Sequence, residues 1–178
     1  MANRQALKEL QTRLAEQLQR AKVQGIAPLW LAVEAGGKKF LFPLAQSGEI
    51  FPWVPVQPVS YTQAWFLGVA NLRGGLYGVV DLAGFVGGQQ SAASMRSELA
   101  RTESRLVSLN SALEVNCVLL VDKLAGLRKQ DAFIDFSAPQ ADAPAFFGNQ
   151  FIDLNGASWQ EVNLQLLAQE VHFLTIAA

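Results

Sequence analysis

Hydrophobic positions at the start of the chain follow a helical period. Leucines recur every three or four residues between positions 4 and about 22, with charged side chains between them, and Gly25 and Pro28 follow. This pattern predicts an amphipathic helix that ends before the glycine. The stripe consists of Leu7, Leu10, Leu14 and Leu18. So narrow a stripe has two interpretations: the helix lies on its own domain, or it pairs with a helix of another chain, which includes self-association.

From residue 29 onward the apolar residues form short runs of the kind found in β-strands. The run 30–33, the dipeptide Gly36-Gly37 and the run 39–42 have the pattern of a β-hairpin. Three prolines in the segment 50–59 indicate an edge strand or an extended connection. Further runs lie at 65–72, 76–82, 105–109, 115–121 and 132–136. Short strands at this spacing favour barrels or a sandwich over a parallel α/β fold.

Two polar stretches interrupt these runs. Residues 87–94 are small and polar, which predicts a mobile loop, with a helical turn or two near Met95 and Leu99. Residues 138–144 separate the last part of the chain from the rest.

The chain contains a weak internal repeat. Residues 66–68 and residues 146–148 each have an aromatic residue before a glycine, and each leads through a glycine turn to a strand. The first strand ends at Asp81 and the second ends before Asn163. Both residue types are good N-caps, so each strand is predicted to run directly into a helix.

The second half of the repeat allows two readings of the C-terminal region. In the first, 157–162 is a strand and a helix covers 164–172. In the second, the helix begins earlier and residues 158–161 (Ser-Trp-Gln-Glu) form its capping box. The repeat favours the strand.

Composition and charge narrow the classes of function. The chain has 178 residues, 51% of them hydrophobic and 16% charged, which is typical of one packed domain. Its apolar runs, such as 117–121, are far shorter than the roughly 18–20 residues that span a bilayer. Charges close to Met1 argue against a signal peptide, so we expect a soluble protein that is not exported. A net charge of −1 without a basic stripe argues against nucleic-acid binding.

The sequence offers little catalytic chemistry. The single cysteine, Cys117, excludes an internal disulfide and a cysteine-based zinc site, and its apolar neighbours favour a buried, inert thiol. His172 has no nucleophile or orienting acid nearby, and the glycine pairs lack the residues of a phosphate loop. The aspartates show no catalytic or metal-binding spacing: Asp122, Asp131, Asp135 and Asp153. We therefore expect no enzyme, no metal and no cofactor.

One motif carries a family resemblance. Residues 67–74 (Leu-Gly-Val-Ala-Asn-Leu-Arg-Gly), followed by 79–82 (Val-Val-Asp-Leu), resemble the signature of the CheW family of chemotaxis adaptors. Glu49-Ile50 and the prolines that follow match the family pattern upstream of this motif. Two later segments resemble family strands: 105–107 and 119–124. The ordered set covers roughly 29–178.

This resemblance implies a fold and a function. The fold would be mainly β: two small five-stranded barrels around a shared core, with an N-terminal helical extension (1–28), a CheW-like domain (29–178) and a short C-terminal helix. The function would be a scaffold that couples a methyl-accepting chemoreceptor to a CheA-type histidine kinase without a cofactor. One barrel face would join the CheW-like regulatory domain of the kinase, and a hydrophobic groove between the barrels would receive the receptor's helical tip.

The same resemblance implies a cellular setting. The N-terminal extension and the proline run are closest to the adaptors of type IV pilus systems, which serve twitching motility. The chain would be cytoplasmic, recruited to membrane-associated receptor arrays without inserting into the membrane.

The matched motifs also imply partner-binding residues. These are Glu49, Ile50, Gly68, Arg73 and Gly74. Arg73 has two interpretations: it fixes the turn by donating to carbonyls or to Asp81, or it meets a carboxylate of the receptor or kinase. The chain departs from the family pattern at Gly75, Gly78, the aromatic pair 65–66 and the long insertion 87–104.

Two other functions stay open. The chain could be a regulatory module that controls another signalling enzyme, such as a phosphatase or methyltransferase. It could also be a small-molecule sensor, which would need a sizeable closed pocket with converging polar groups. Retention of both a receptor and a kinase in a pull-down would distinguish the adaptor.

Overall fold

The computed structural model describes residues 28–88 and 98–178, and strands dominate this part of the chain. The strands are β1 (Leu29–Ala35), β2 (Lys38–Pro43), β3 (Ser47–Pro52), β4 (Phe66–Leu72), β5 (Gly75–Asp81), β6 (Arg105–Leu109), β7 (Cys117–Val121), β8 (Lys123–Lys129), β9 (Phe133–Ser137), β10 (Phe147–Asp153) and β11 (Ser158–Val162). The helices are α1 (Leu82–Gly87), α2 (Glu98–Glu103), α3 (Leu164–Leu167) and α4 (Val171–Leu174). The helix predicted over 4–22 and most of the predicted loop lie outside the described residues.

The strands form two mixed sheets. One has six strands in the order β8-β1-β2-β11-β10-β9, and the other has five in the order β3-β6-β7-β5-β4. Each sheet is built from antiparallel hairpins joined by one parallel contact, β2 with β11 in the first and β5 with β7 in the second. The resemblance implies five strands in each unit. The first sheet has six because β9 pairs with β10 at the edge of the sheet.

The two sheets exchange strands. After the β1–β2 hairpin, β3 crosses to the other sheet and pairs with β6. After the β6–β7 hairpin, β8 crosses back and pairs with β1. In each sheet, one strand follows directly in the sequence after a hairpin of the other sheet. The six-stranded sheet is therefore formed by two separate segments of the chain.

Three hydrophobic clusters fill the fold. The largest lies between the sheets and takes side chains from both, including Val33 and Phe42 from one sheet and Leu119 and Val121 from the other. The five-stranded sheet encloses a second cluster, which includes Phe51, Leu72 and Leu120. The six-stranded sheet encloses a third, which includes Trp30, Leu41 and Trp159. This arrangement confirms two small β units around a shared core.

The internal repeat is also confirmed. The β4–β5 hairpin leads into α1, and the β10–β11 hairpin leads into α3. The side chain of Asn163 accepts a hydrogen bond from the backbone N–H of Leu166 (3.0 Å), as expected of an N-cap. Asp81 occupies the corresponding position before α1, but its side chain makes no capping bond there. The C-terminal helix predicted over 164–172 is two short helices, because the backbone turns extended at Glu170.

None of the helices in the described part of the chain is long and apolar enough to cross a membrane.

Candidate functional site

Glu49 and Arg73 form an ion pair that joins the two edges of the five-stranded sheet. Glu49 lies on β3, the edge strand at one side, and Arg73 lies in the turn that follows β4, the edge strand at the other. Nη1 of Arg73 is 2.7 Å from Oε2 of Glu49, and its guanidinium lies 5.6 Å from the ring centre of Phe51. The sheet is thus curled until side chains from its two edges meet, as in a small barrel.

The turn that carries Arg73 has a defined geometry. Leu72 pairs with Gly75, so Arg73 and Gly74 are the two loop residues, and both have positive φ (49° and 83°). Two-residue hairpin loops of this kind favour glycine at the second position. The N–H of Gly74 also donates to the Asn71 side chain (3.0 Å).

The position of Arg73 decides whether it can contact Asp81, one of the partners proposed for it within the protein. Asp81 lies at the far end of β5 from the turn, so the expected contact between Arg73 and Asp81 is wrong. The arginine instead pairs with a carboxylate that precedes it by 24 residues. Both side chains of this pair are mostly exposed, 74% for Arg73 and 58% for Glu49.

Exposed apolar side chains lie close to this pair in the chain. Ile50 follows Glu49 on β3 and is 40% exposed. Leu76 follows the turn and is 64% exposed. The end of the sheet thus combines two exposed charges with exposed apolar surface.

Gly68 differs from the other four predicted residues because it is buried. Its φ is +129°, and a Cβ atom added there would lie 2.0 Å from the carbonyl oxygen of Gln57. Gln57 approaches so closely because it exchanges two backbone hydrogen bonds with Val69 (2.8 and 2.9 Å). The absence of a side chain at Gly68 therefore lets the proline-rich segment lie along β4. The structure does not bring Gly68 to the exposed end of the sheet.

A groove of about 640 Å³ lies beside the six-stranded sheet, where α1 reaches across from the end of β5. Phe40, Val86 and Phe147 contribute apolar surface, and Lys38 and Lys39 line it at one side. Val86 and Phe147 pack against the shared core, so the groove lies over the junction of the two sheets. This groove is a candidate for the one that the resemblance implies between the two units, although most of its lining comes from the six-stranded sheet.

Lys39, which lines the groove, belongs to a charge network with Glu34 and Lys123. Lys39 donates to Glu34 (2.9 Å), and Lys123 lies 3.6 Å from the other oxygen of that carboxylate. The hydrogen bond from Lys39, helped by the nearby Lys123 charge, holds the pKa of Glu34 below its ordinary value. The three residues face each other across β2, β1 and β8. This side of the sheet therefore presents a paired but net basic surface.

Cys117 and His172 both contact apolar neighbours in the fold. Cys117 is 6% exposed, which confirms the expected burial, and burial raises the pKa of its thiol to about 12. The His172 ring stacks with Phe85 and meets Trp65 edge-on. Within residues 28–88 and 98–178 there is no cluster of three or more His, Cys, Asp or Glu side chains that could hold a metal ion.

Comparison with known proteins gives the family. A family model described as a CheW-like domain matches residues 29–171, most of the chain. The chain belongs to the CheW-like family. The PilI protein of Pseudomonas aeruginosa is 28% identical over 145 residues, covering 80% of this chain and 76% of PilI. The chemotaxis protein CheW of Rhizobium meliloti is 31% identical over 81 residues, covering 44% of this chain and 52% of CheW.

A solved structure supports the same fold. The CheW-like domain superposes on the scaffolding protein TtCheW of Thermoanaerobacter tengcongensis with a TM-score of 0.61 and 15% identity, over 84% of this chain and 92% of TtCheW. CheW-like domains are generally non-catalytic scaffolds and adaptors.

Sequence reasoning missed two residues that shape the site in this CheW-like domain. Phe51 lies under the Arg73 guanidinium, and Asn71 accepts from the turn. An asparagine two residues before an Arg-Gly turn is a common turn signal that was present in the sequence. The contact of Phe51 with Arg73 depends on the curl of the sheet, which no local pattern reveals.

Proposed function

We propose that this CheW-like chain is a non-enzymatic adaptor that couples a methyl-accepting chemoreceptor to a CheA-type histidine kinase. The family, the chemotaxis and scaffolding roles named for two of its relatives, and the similarity to PilI support this proposal. The similarity to PilI, together with the N-terminal extension, favours a type IV pilus system and twitching motility. The chain would then work in the cytoplasm at membrane-associated receptor arrays, without nucleic acid and without a cofactor.

The exposed pair of Glu49 and Arg73 is the observation that carries the proposal. Exposed ion pairs contribute only about 0–1 kcal/mol to stability, so this pair does little for the fold. Ile50, next to Glu49 in the sequence, and Leu76, three residues after Arg73, are also exposed. Charged groups beside apolar surface are typical of protein interfaces, where charges give orientation and apolar contacts give affinity.

The proposal divides the surface into two docking regions. Glu49, Ile50 and Arg73 contact the CheW-like regulatory domain of the kinase, with Gly68 and Gly74 shaping the backbone that presents them. The groove beside α1 receives the receptor's helical tip, which lays apolar side chains over the partly exposed Val86 and Phe147. Binding assembles the partners, and no bond is made or broken by this chain.

Reconstitution with purified partners tests the proposal. The chain is mixed with the kinase and with the cytoplasmic part of the receptor, and both retention on the immobilised chain and receptor-dependent kinase activity are measured. We expect both partners to be retained. Arg73→Glu should weaken kinase retention at least tenfold, whereas Lys123→Glu, a charge reversal at another exposed cation, should have little effect.

A groove variant separates the two regions. Gln150→Arg places a long charged side chain beside Phe147 and should reduce receptor retention while kinase retention stays unchanged. Retention of the kinase alone by the unmodified chain would contradict the adaptor and favour the regulatory module. Loss of neither partner in any variant would contradict the division of the surface.

A further inference from the structure

The described residues present an unusually apolar exposed face around the C-terminal helices. Among the described residues thirteen large hydrophobic side chains are exposed, and six of them lie in two short segments of the chain. These six are Val59, Tyr61, Leu166, Val171, Leu174 and Ile176, and we call them the C-terminal apolar face. Val171 and Leu174 are 75% and 52% exposed, although Phe173 between them packs into the core.

Hydrogen bonds hold this face together as one surface. The N–H of Gln63 donates to the carbonyl of Ile176 (2.8 Å), and the N–H of Ala178 donates to the carbonyl of Tyr61 (3.1 Å). The last residues of the chain are thus fixed alongside the segment that contains Tyr61. Val171 and Leu174 are one helical turn apart on α4, so their side chains lie on the same face of that helix.

The segments that form the C-terminal apolar face contain few charged side chains. Among residues 53–64 and 164–178 the only acidic or basic side chains are Glu170 and His172. Contiguous exposed apolar surface of this kind marks an interaction site on a protein that is otherwise well packed. A covering partner must therefore present an apolar stripe and needs few charges at its centre.

The position of the face relative to the start of β1 identifies an occupant within the chain. Pro43 pairs with Trp30 at the start of β1, and three residues later the Gln46 side chain accepts a hydrogen bond from the N–H of Leu164 (2.7 Å). The beginning of α3 is thus close to the point at which residues 1–27 join the described fold. A helix over 4–22 would be about 28 Å long, enough to run the length of α3 and α4.

Charge favours the same occupant. Residues 1–27 contain five basic and two acidic side chains, a net charge of +3, so the rest of the chain carries −4 within the total of −1. Attraction between the two parts adds to the hydrophobic contact. The charged residues of 1–27 lie between its leucines, so a helix that buries the leucines keeps its charges in water.

We propose that the N-terminal leucine stripe (Leu7, Leu10, Leu14 and Leu18) folds back and covers the C-terminal apolar face of the same molecule. The leucines pack against Leu166 of α3 and against Val171 and Leu174 of α4. Gly25 and Pro28 provide the reversal that brings the helix back from β1. The proposal makes the N-terminal segment an intramolecular part of the domain and leaves the Glu49–Arg73 end of the sheet and the groove accessible.

Disulfide trapping in the full chain tests this contact. The native thiol of Cys117 is buried, with its pKa raised to about 12, so it stays unreactive in the folded protein while two introduced cysteines are oxidised. The test pair is Leu14→Cys with Leu174→Cys. The control pair is Leu14→Cys with Leu154→Cys, since Leu154 is 72% exposed in the β10–β11 turn, away from the face.

The expected result is a disulfide within one molecule that forms at least tenfold faster in the test pair than in the control pair. Disulfide-linked dimers from the test pair would overturn the proposal, because a second copy would then cover the face. Equal rates in the two pairs would also overturn it.

A second measurement does not depend on the cysteine variants. Leu10→Glu places a charge in the stripe, and Gln11→Glu introduces the same charged side chain one position away, outside the stripe. We expect 8-anilinonaphthalene-1-sulfonate fluorescence to rise at least twofold with Leu10→Glu alone, because the C-terminal apolar face becomes exposed. An equal response to both substitutions would overturn the proposal.

Discussion

The carboxylate of Glu49 and the guanidinium of Arg73 meet at 2.7 Å although they lie on opposite edges of one sheet. Because both side chains are mostly exposed, water and salt screen their attraction. We expect Arg73→Ala to lower the free energy of unfolding by no more than about 1 kcal/mol, measured by urea denaturation. The same variant should lose kinase retention, and a loss of several kcal/mol in stability would contradict the surface role.

The close approach of Gln57 to Gly68 predicts a large effect of a small substitution. Gly68→Ala would put a methyl group against a backbone carbonyl at positive φ, so it should cost about 3 kcal/mol. Gly74→Ala is the matched control: its φ is also positive, but the space around it is open, so we expect about 1–2 kcal/mol. Equal losses in denaturant titrations would show that the Gln57 contact does not matter.

Asp153 gives a prediction about pH. Its carboxylate accepts hydrogen bonds from Nε1 of Trp159 and from the backbone N–H groups of Ala157 and Asn155, all at 2.9 Å. These donors, led by Trp159, hold the pKa of Asp153 below its ordinary value. A lowered pKa in the folded state means stabilisation that is complete above the unfolded-state pKa, near about 3.9, and lost as the pH falls through the folded-state value.

Urea midpoints between pH 7 and pH 2.5 measure this contribution. We expect Asp153→Asn to be less stable than the unmodified chain at pH 7, with the difference shrinking as the pH falls below about 4. Asp142→Asn, at an exposed aspartate outside this turn, should show no such convergence. Parallel curves for Asp153→Asn and the unmodified chain would contradict the assignment.

The thiol of Cys117 predicts selective labelling. Because burial raises its pKa to about 12, almost no thiolate exists at pH 8, and the side chain is 6% exposed. A disulfide reagent such as 5,5′-dithiobis(2-nitrobenzoic acid) should therefore label the folded chain at the rate at which it opens. In denaturant, one thiol per chain should react within minutes. Rapid labelling of the folded chain would contradict this environment.

The exchange of β3 and β8 predicts a single unfolding transition. Leu41→Ala removes side-chain volume from the interior of the six-stranded sheet and Leu120→Ala does so in the five-stranded sheet. Each should cost about 2–5 kcal/mol and shift the whole transition, seen alike by tryptophan fluorescence and circular dichroism. Leu127→Ala, at a residue that is 55% exposed, should change stability by no more than about 0.5 kcal/mol. Two separate transitions in either core variant would contradict the coupling.

Local signals predicted much of the fold. The Gly36-Gly37 dipeptide between two apolar runs placed the β1–β2 hairpin correctly, and the structure has these glycines at φ of 59° and 74° in its turn. The internal repeat favoured a strand over a helix at 157–162, and β11 confirms it. In both cases the interactions that determine the structure are close in sequence.

Two strands were not predicted because their sequences look polar. β8 reads Lys-Leu-Ala-Gly-Leu-Arg-Lys, and its flanking charges are typical of an edge strand that must not pair with other chains. β10 contains Gly148-Asn149-Gln150, residues that are uncommon in strands. Their strand conformation depends on pairing with β1 and with β9 and β11, which no local pattern reveals.

The structure explains two departures from the family pattern together. A Cβ atom at Gly78 would lie 2.9 Å from the ring of Phe66, and one at Gly75 would lie 2.9 Å from the ring of Tyr77. Large aromatic side chains thus fill the space left by the glycines. Gly75 and Tyr77 are two residues apart on β5, so their contact is local, whereas the contact of Gly78 with Phe66 of β4 depends on the register of the two strands. The ion pair of Glu49 with Arg73 could not be predicted from the sequence because it also depends on how the strands are arranged in the sheet.

The crossing of β3 and β8 connects the two sheets at two separate points of the chain. A hinge between two domains needs a single flexible connection, whereas here the chain passes between the sheets twice, once in each direction, through the short connections before β3 and β8. A load applied at the Arg73 turn is therefore borne by backbone that continues into the sheet beside the groove. A change in the angle between the sheets must therefore displace both connections, so the Arg73 turn and the groove belong to one connected fold.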